Sequence, residues 1–162
     1  MSKQKTPVTP GTRMLKSEGI QFTSYLYDYQ EKGGTAQTAR ELDVDEYKVI
    51  KTLVLNGDGD LFLMLMHGNK EVSMKELARI LNKKTVKPAE AKKATNATGY
   101  LFGGTSPFGT KKQMPIVVEE TIFDLDEIYI NGGKRGFIIK ISPDVLSKLF
   151  KVTKVSVAIE KF

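Results

Sequence analysis

A chain of 162 residues is long enough to bury one good core and too short for two substantial domains, so a single domain over residues 1–162, with its core at about 9–159, is expected. Its 40% hydrophobic and 27% charged residues are ordinary for a globular protein, no apolar run approaches the roughly 20 residues of a membrane helix, and residues 1–10 lack the apolar stretch of a secretory signal, so no membrane and a cytoplasmic location are expected. The lack of cysteine excludes disulfides and a thiol nucleophile, the single histidine, His67, excludes a multi-histidine metal centre, and the net charge of +6 favours a polyanionic partner, nucleic acid before a phosphorylated small molecule. No metal and no cofactor are expected.

Thr9 as cap, Pro10 at the first helical position and Gly19 past the last turn predict a helix over 10–18. The alternation of Ile20, Phe22 and Leu26 with polar residues predicts a strand over 20–27, then a loop over 30–34 and a helix over 35–42 capped by Thr35. Residues 49–55 and 61–66 are apolar runs joined by Asn56-Gly57-Asp58-Gly59-Asp60, the chemistry of a hairpin turn. Ser73 and Glu76 form a capping box, with Val72 and Leu77 as staple, for a helix carrying Leu77, Ile80 and Leu81. A short helix at 88–95, strands at 114–118, 127–130 and 136–141, a helix opening at Ser142-Pro143 and a strand at 152–159 complete the chain. Seven strands with irregularly placed helices imply an α+β fold, a mixed, mostly antiparallel β-sheet or partly closed barrel with flanking helices. No repeat is present, and Lys83-Lys84, Lys92-Lys93 and Lys111-Lys112 are separate pairs rather than one basic tail.

Three places carry possible chemistry. Lys51 stands in a strand whose two faces are both largely apolar, so its amine is buried with a partner, reaches a cleft or snorkels to a rim. The stretch Gly99-Tyr100-Leu101-Phe102-Gly103-Gly104-Thr105-Ser106-Pro107-Phe108-Gly109-Thr110-Lys111-Lys112 packs four glycines among three aromatics. It reads as a tight turn or as a row of backbone N–H donors for a phosphate or oxyanion, and it lacks the spacing of a P-loop. Asn131-Gly132-Gly133-Lys134-Arg135-Gly136 reads alone as a hairpin turn with two cations. His67, beside Gly68 and Asn69, reads as a strand end, and no nucleophile elbow accompanies it.

In this order and spacing, Ile50-Lys51-Thr52-Leu53-Val54 and the two glycine segments resemble the YbaK/EbsC group of aminoacyl-tRNA editing domains, related to the editing domain inserted in bacterial prolyl-tRNA synthetase, over about residues 9–159. The resemblance implies a pocket that deacylates mischarged tRNA, chiefly cysteine on proline tRNA. It places Lys51 in that pocket with Tyr27 and Thr52, and sets the backbone of Gly103 or Gly104 against the substrate carbonyl. Thr105 and Ser106 are candidate pocket hydroxyls, although hydroxyls in such loops also bond their own backbone. Asn131, Gly132 and Gly133 are candidate substrate contacts. Lys111, Lys112, Lys134 and Arg135 are candidate contacts for the acceptor-stem backbone, and prolyl-tRNA synthetase is a candidate partner. One departure stands out: the family's aromatic-Gly-x-Glu-Ala-Ala helix start reads Gly33-Gly34-Thr35-Ala36-Gln37-Thr38 here, without the aromatic wall, which bears on the amino acid accepted.

An aminoacyl ester is already activated, so its cleavage needs placement and oxyanion stabilisation more than a strong base. Backbone N–H groups of Gly103 or Gly104, and of Gly132 or Gly133, would meet the oxyanion. The substrate's own thiol, as proposed for the family, or water would attack. Lys51 would anchor a phosphate or ribose oxygen rather than act as a base, since no sequence neighbour is expected to depress its pKa. The alternative is a non-catalytic module that binds the tRNA 3′ end, or a cell-envelope regulator sharing the fold.

Overall fold

The computed structural model describes residues 6–161. The first five residues of the segment read for a secretory signal, and both ends of the expected domain, lie outside the described residues. Helix α1 (Pro10–Ser17) begins as the sequence predicts: the Thr9 hydroxyl accepts from the Thr12 N–H at 3.0 Å, the Thr12 hydroxyl accepts from the Thr9 N–H at 2.9 Å, and Gly19 takes φ +72° after the last turn. Strand β1 (Thr23–Leu26) is shorter than the alternation suggests. Helix α2 (Gly34–Leu42) starts one residue before the prediction and is not capped by Thr35. That hydroxyl lies instead 2.7 Å from the Glu46 carboxylate and 3.1 Å from the Gly68 carbonyl, tying the helix to the sheet.

The hairpin of β2 (Val49–Gly57) and β3 (Asp60–His67) runs closer to its turn than predicted. Only Asp58 and Gly59 form the connection, both at positive φ (51° and 98°), as the two-residue turn that matches strand twist requires. The short strand β4 (Lys70–Val72), unseen in the sequence, leads to α3 (Met74–Ile80). Half of its capping box forms, the Ser73 hydroxyl accepting from the Glu76 N–H at 3.3 Å. The Glu76 carboxylate pairs with Arg79 and the Ser73 N–H donates to Val157 at 2.9 Å, so the reciprocal half does not. Residues 86–88 form a strand, β5 (Val86–Pro88), and the helix that follows, α4 (Ala91–Thr98), sits three residues beyond its expected place.

Strands β6 (Ile116–Glu119), β7 (Ile128–Lys134) and β8 (Phe137–Ile141), helix α5 (Asp144–Leu149), and two final strands, β9 (Val152–Val155) and β10 (Ala158–Glu160), complete the order. The single strand expected over 152–159 is thus two, because β10 leaves the main sheet to pair with β4. The main sheet runs β1-β8-β7-β2-β3-β6-β9, with β5 also on β2. Pairs β1–β8, β7–β8, β2–β3 and β2–β5 are antiparallel, and β2–β7, β3–β6 and β6–β9 are parallel. This is the mixed, mostly antiparallel α+β fold expected, and its path stays open rather than closing into a barrel.

Alternation along β2 and β3 divides the core between the two faces. Ile50, Leu63 and Leu65 pack with Leu15, Phe108, Ile122 and Leu146 on the face under α1 and α5; Leu55, Phe62, Met64 and Met66 pack with Leu77 and Ala78 of α3 on the other. At the end of β3, His67 is fully buried, with Nδ1 donating to the Tyr47 carbonyl at 2.7 Å and Nε2 accepting from the Thr121 hydroxyl at 2.7 Å. Burial holds its pKa below the usual value despite the bond to Tyr47. Below about pH 6.5 the unfolded chain takes up the proton before the folded one, so stability falls with acidity until the folded pKa is reached. Thermal melts between pH 7 and 5 should show a fall in Tm with acidity that is absent from the His67→Gln variant.

Candidate active site

Strand register decides what can meet Lys51. Lys51 lies opposite Met66 and Leu53 opposite Met64, on the α3 side of the sheet, whereas Thr52 lies opposite Leu65 with Ile50 and Val54 on the other face. Lys51 and Thr52 therefore point away from one another. The Thr52 hydroxyl is buried and has no hydrogen-bond partner among the described residues. Following the parallel pairs Val49–Tyr129 and Ile50–Ile130 by one residue sets Lys51 level with Asn131. Asn131 pairs with Ile138, and Ile138 with Tyr25. Tyr25, Tyr129 and Lys51 thus share a face, and Tyr27 follows two residues after Tyr25, its N–H donating to Gly136 at 2.9 Å. Its hydroxyl is 2.7 Å from that of Thr38 on α2, which closes this face from above.

The sheet is notched beside Lys51. On one edge β2 pairs with β3 along its length; on the other it pairs with β7 at Val49 and Ile50 and with β5 from Leu55 to Gly57. Among the described residues, no strand pairs with residues 51–53 on that edge.

Both glycine segments dock beside this face, and each depends on lacking side chains. Gly132 and Gly133 are not a connecting turn as expected but an irregularity within β7, where the register shifts between Asn131 and Lys134. The turn itself is Arg135-Gly136. The Thr9 hydroxyl donates to the Gly132 carbonyl at 2.6 Å, and a Cβ on Gly133 would come 2.8 Å from the Tyr100 ring. A Cβ on Gly104 would meet the Arg135 nitrogen at 2.8 Å, so the two segments touch backbone to backbone. Asn131 fastens them, its Nδ2 donating to the Gly103 carbonyl at 3.2 Å and to that of Lys134 at 3.1 Å, while its Oδ1 accepts from the N–H groups of Gly133 (2.6 Å) and Lys134 (3.1 Å). Arg135 Nε donates to the Phe102 carbonyl at 2.8 Å, and its guanidinium lies over the Tyr29 ring, 5.1 Å from the centroid.

These bonds sort the expected oxyanion donors. Gly104 N–H donates to Leu101 at 2.9 Å and Gly133 N–H to Asn131, so both are occupied. Gly103 N–H has no acceptor among the described residues. Gly103 holds φ +87°, and a Cβ there would lie 2.5 Å from the Tyr29 hydroxyl.

The electrostatics correct one expectation. Burial lowers the Lys51 pKa, with Lys161 adding to the effect and Glu71 and Glu46 opposing it, although no sequence neighbour suggested this. No salt bridge holds the amine among the described residues. Burial likewise raises the pKa of Tyr27, whose bond to Thr38 works against the rise.

Of the other expected residues, Ser106 is fully buried, and its Oγ accepts from the Phe108 N–H at 3.1 Å, inside the loop's own framework. The Thr105 hydroxyl lies 3.5 Å from the Leu101 carbonyl of the same loop. Lys134 and Arg135 are exposed beside Gly103 and Gly104, whereas Lys111 and Lys112 lie elsewhere, their N–H groups on Thr98 and Ala97 at the end of α4. Lys112 lines a separate cavity of about 840 Å³ with Lys83 and Lys93 near the β2–β3 turn. Tyr29, Thr38 and Phe102 were not anticipated. The Tyr25-x-Tyr27-x-Tyr29 alternation was the available signal for the first.

A half-buried lysine thus shares a face of the sheet with Tyr25, Tyr129 and Asn131, and Asn131 links that face to the two glycine segments and the exposed Lys134 and Arg135. The family model of the aminoacyl-tRNA editing domain matches residues 31–149, and the chain belongs to that family. Along most of its length it is similar to EbsC of Enterococcus faecalis, named as a candidate Cys-tRNA(Pro)/Cys-tRNA(Cys) deacylase, with 31% identity over 92% of this chain and 93% of that one. It is also 30% identical over 62% of its length to proline–tRNA ligase of Streptococcus equi subsp. zooepidemicus, of which it spans only 16%. Two crystal structures share the fold: a hypothetical protein at TM-score 0.85 and 21% identity, covering 93% of this chain and all of that one, and a candidate trans-editing enzyme for prolyl tRNA synthetase at 0.83 and 18%, covering 94% and 99%.

Two substitutions probe the geometry. Gly103→Ala should destabilise the fold by about 1–2 kcal/mol from its positive φ alone, seen as a lowered Tm. Lys51→Met, which removes a half-buried charge, should raise Tm by about 2–4 °C, corresponding to about 1 kcal/mol; an unchanged or lower Tm would mean that the amine is not a burden on the fold.

Proposed function

We propose that this chain is a trans-editing deacylase that removes a wrongly attached amino acid from tRNA, with Cys-tRNA(Pro) as its substrate. Membership of the editing-domain family and near full-length similarity to the Enterococcus faecalis protein support the reaction class. The observation that carries the site is the free N–H of Gly103, held by Asn131 and Arg135 beside the face that bears Lys51.

In this reading the Gly103 N–H meets the oxygen of the ester carbonyl as it gains negative charge. One such donor is worth about a hundredfold to a thousandfold in rate. The thiol of the esterified cysteine attacks its own carbonyl carbon, the bond from that carbon to the ribose oxygen breaks, and the thiol proton ends on the leaving ribose hydroxyl. The chain, which has no cysteine, needs no nucleophile of its own for this step. Lys51 holds a phosphate or ribose oxygen. Burial alone pushes its amine toward neutrality, and an arriving phosphate pushes back, so the ammonium is favoured when the site is filled. Tyr27, fixed by Thr38, bounds the amino-acid end, while Lys134 and Arg135 meet the phosphate backbone. Thr52 acts from the opposite face, through the packing of β2. Prolyl-tRNA synthetase is the candidate partner, as the enzyme that would supply the mischarged tRNA, and the site of action is the cytoplasm.

Purified protein should release amino acid from Cys-tRNA(Pro) in preference to the other members of a panel of charged tRNAs, and Lys51→Ala should lower that rate at least tenfold. Binding of tRNA without cleavage of any charged species would replace the enzyme by a binding module. Raising the salt concentration should weaken binding less in a Lys134→Ala/Arg135→Ala variant than in the parent.

A further inference from the structure

Phe102 is 83% exposed and Leu101 59% exposed, immediately before Gly103. An exposed phenylalanine at a loop tip would ordinarily fold back onto apolar surface, but this loop is held open. Gly104 N–H donates to the Leu101 carbonyl at 2.9 Å, closing a turn around Phe102 and Gly103. Arg135 Nε fixes the Phe102 carbonyl, Asn131 fixes that of Gly103, and Tyr29 stands where a Gly103 side chain would be. The backbone is fastened at successive residues while the ring between them remains in solvent.

We propose that the Phe102 ring is a stacking platform for the nucleobase at the 3′ end of the RNA substrate. The inference rests on the function proposed above and adds a site to it. Three features point to a base rather than to an apolar protein surface. The ring presents an uncovered π-face, and every nucleobase has a matching one. The exposed cations Lys134 and Arg135 lie against the same loop, so the platform adjoins positive charge, the pairing of aromatic and cationic groups that single-stranded nucleic acid binds. Phe102 is also the direct neighbour of the Gly103 N–H, and in an aminoacyl-tRNA the reacting ester and the terminal base hang on one ribose. A ligand with its carbonyl at Gly103 therefore carries a base within reach of the adjacent ring. Arg135 serves both ends, fixing the loop through Phe102 and stacking on Tyr29 through its guanidinium.

The chain has no tryptophan, so Phe102→Trp installs its one tryptophan at the platform, excited selectively, apart from the tyrosines, at the long-wavelength edge of their absorption. Its emission should be quenched on titration with the uncharged trinucleotide CCA and not with a ribose-phosphate lacking the base. With charged tRNA, Phe102→Ala should raise KM about 5- to 150-fold, the range that corresponds to about 1–3 kcal/mol per stacked base, with kcat little changed. Phe102→Tyr should restore KM, and Phe102→Leu, apolar but without a π-face, should not. Full rescue by leucine would make the contact merely apolar and overturn the proposal. So would absence of quenching by CCA in a variant that still cleaves charged tRNA, or a KM unmoved in Phe102→Ala. Quenching by CCA in a protein that cleaves no charged tRNA would leave the platform standing and remove the deacylase reading instead.

Discussion

The close approach of backbone to backbone around Tyr100 is the constraint on which the site depends. Tyr100 is buried, its hydroxyl donates to the Phe108 carbonyl at 2.6 Å, and its ring lies against Gly133 and under Gly11. Burial pushes its pKa up to about 12, so the hydroxyl stays a donor at any physiological pH. Around it, the first turn of α1, the irregularity in β7 and the 99–109 loop meet without intervening side chains. Thr9 joins the first two by donating to Gly132 while also capping its own helix. A methyl group at Gly11, Gly104, Gly109, Gly132 or Gly133 would crowd a carbonyl, an amide or a ring, so these glycines let the three segments close on one another by omission.

The sheet then distributes roles by parity. Odd residues of β2, Lys51 among them, face α2 and α3; even residues face α1 and α5, and each face carries its own part of the core. One consequence is that neighbouring residues of a single motif do different work: Lys51 supplies a charge, while Thr52 carries a buried hydroxyl without a partner among the described residues. Unsatisfied hydroxyls of this kind usually cost stability, and nothing in the structure explains why it is retained.

Much of this was legible in the sequence, for identifiable reasons. The α1 cap, the β2–β3 hairpin and the Ser73 start of α3 rest on local chemistry, and local chemistry survives folding. The capping role of Thr35 and the reciprocal bond of Glu76 failed because distant groups competed: Glu46 and Gly68 for the one, Arg79 and Val157 for the other. Strands β4, β5 and β10 are three residues each, too short to show a period; β5 forms on the edge of β2, and β4 and β10 form only by pairing with each other across the chain. At the site, Lys51 and the glycine segments stood out by composition, but which N–H remains free could not be read. Gly103 differs from Gly104 only by where Leu101, Asn131 and Arg135 happen to fall in space.

The notch at residues 51–53 has a consequence for how the molecule behaves among its copies. Unpaired strand edges commonly invite another chain to add on, the first step toward aggregation. This edge is interior, bounded by β7 at one end and β5 at the other, and a foreign strand of ordinary length would collide with both. A window three residues wide admits something small and excludes something long. The protein can thus carry a gap in the middle of its sheet without offering its neighbours an edge to extend.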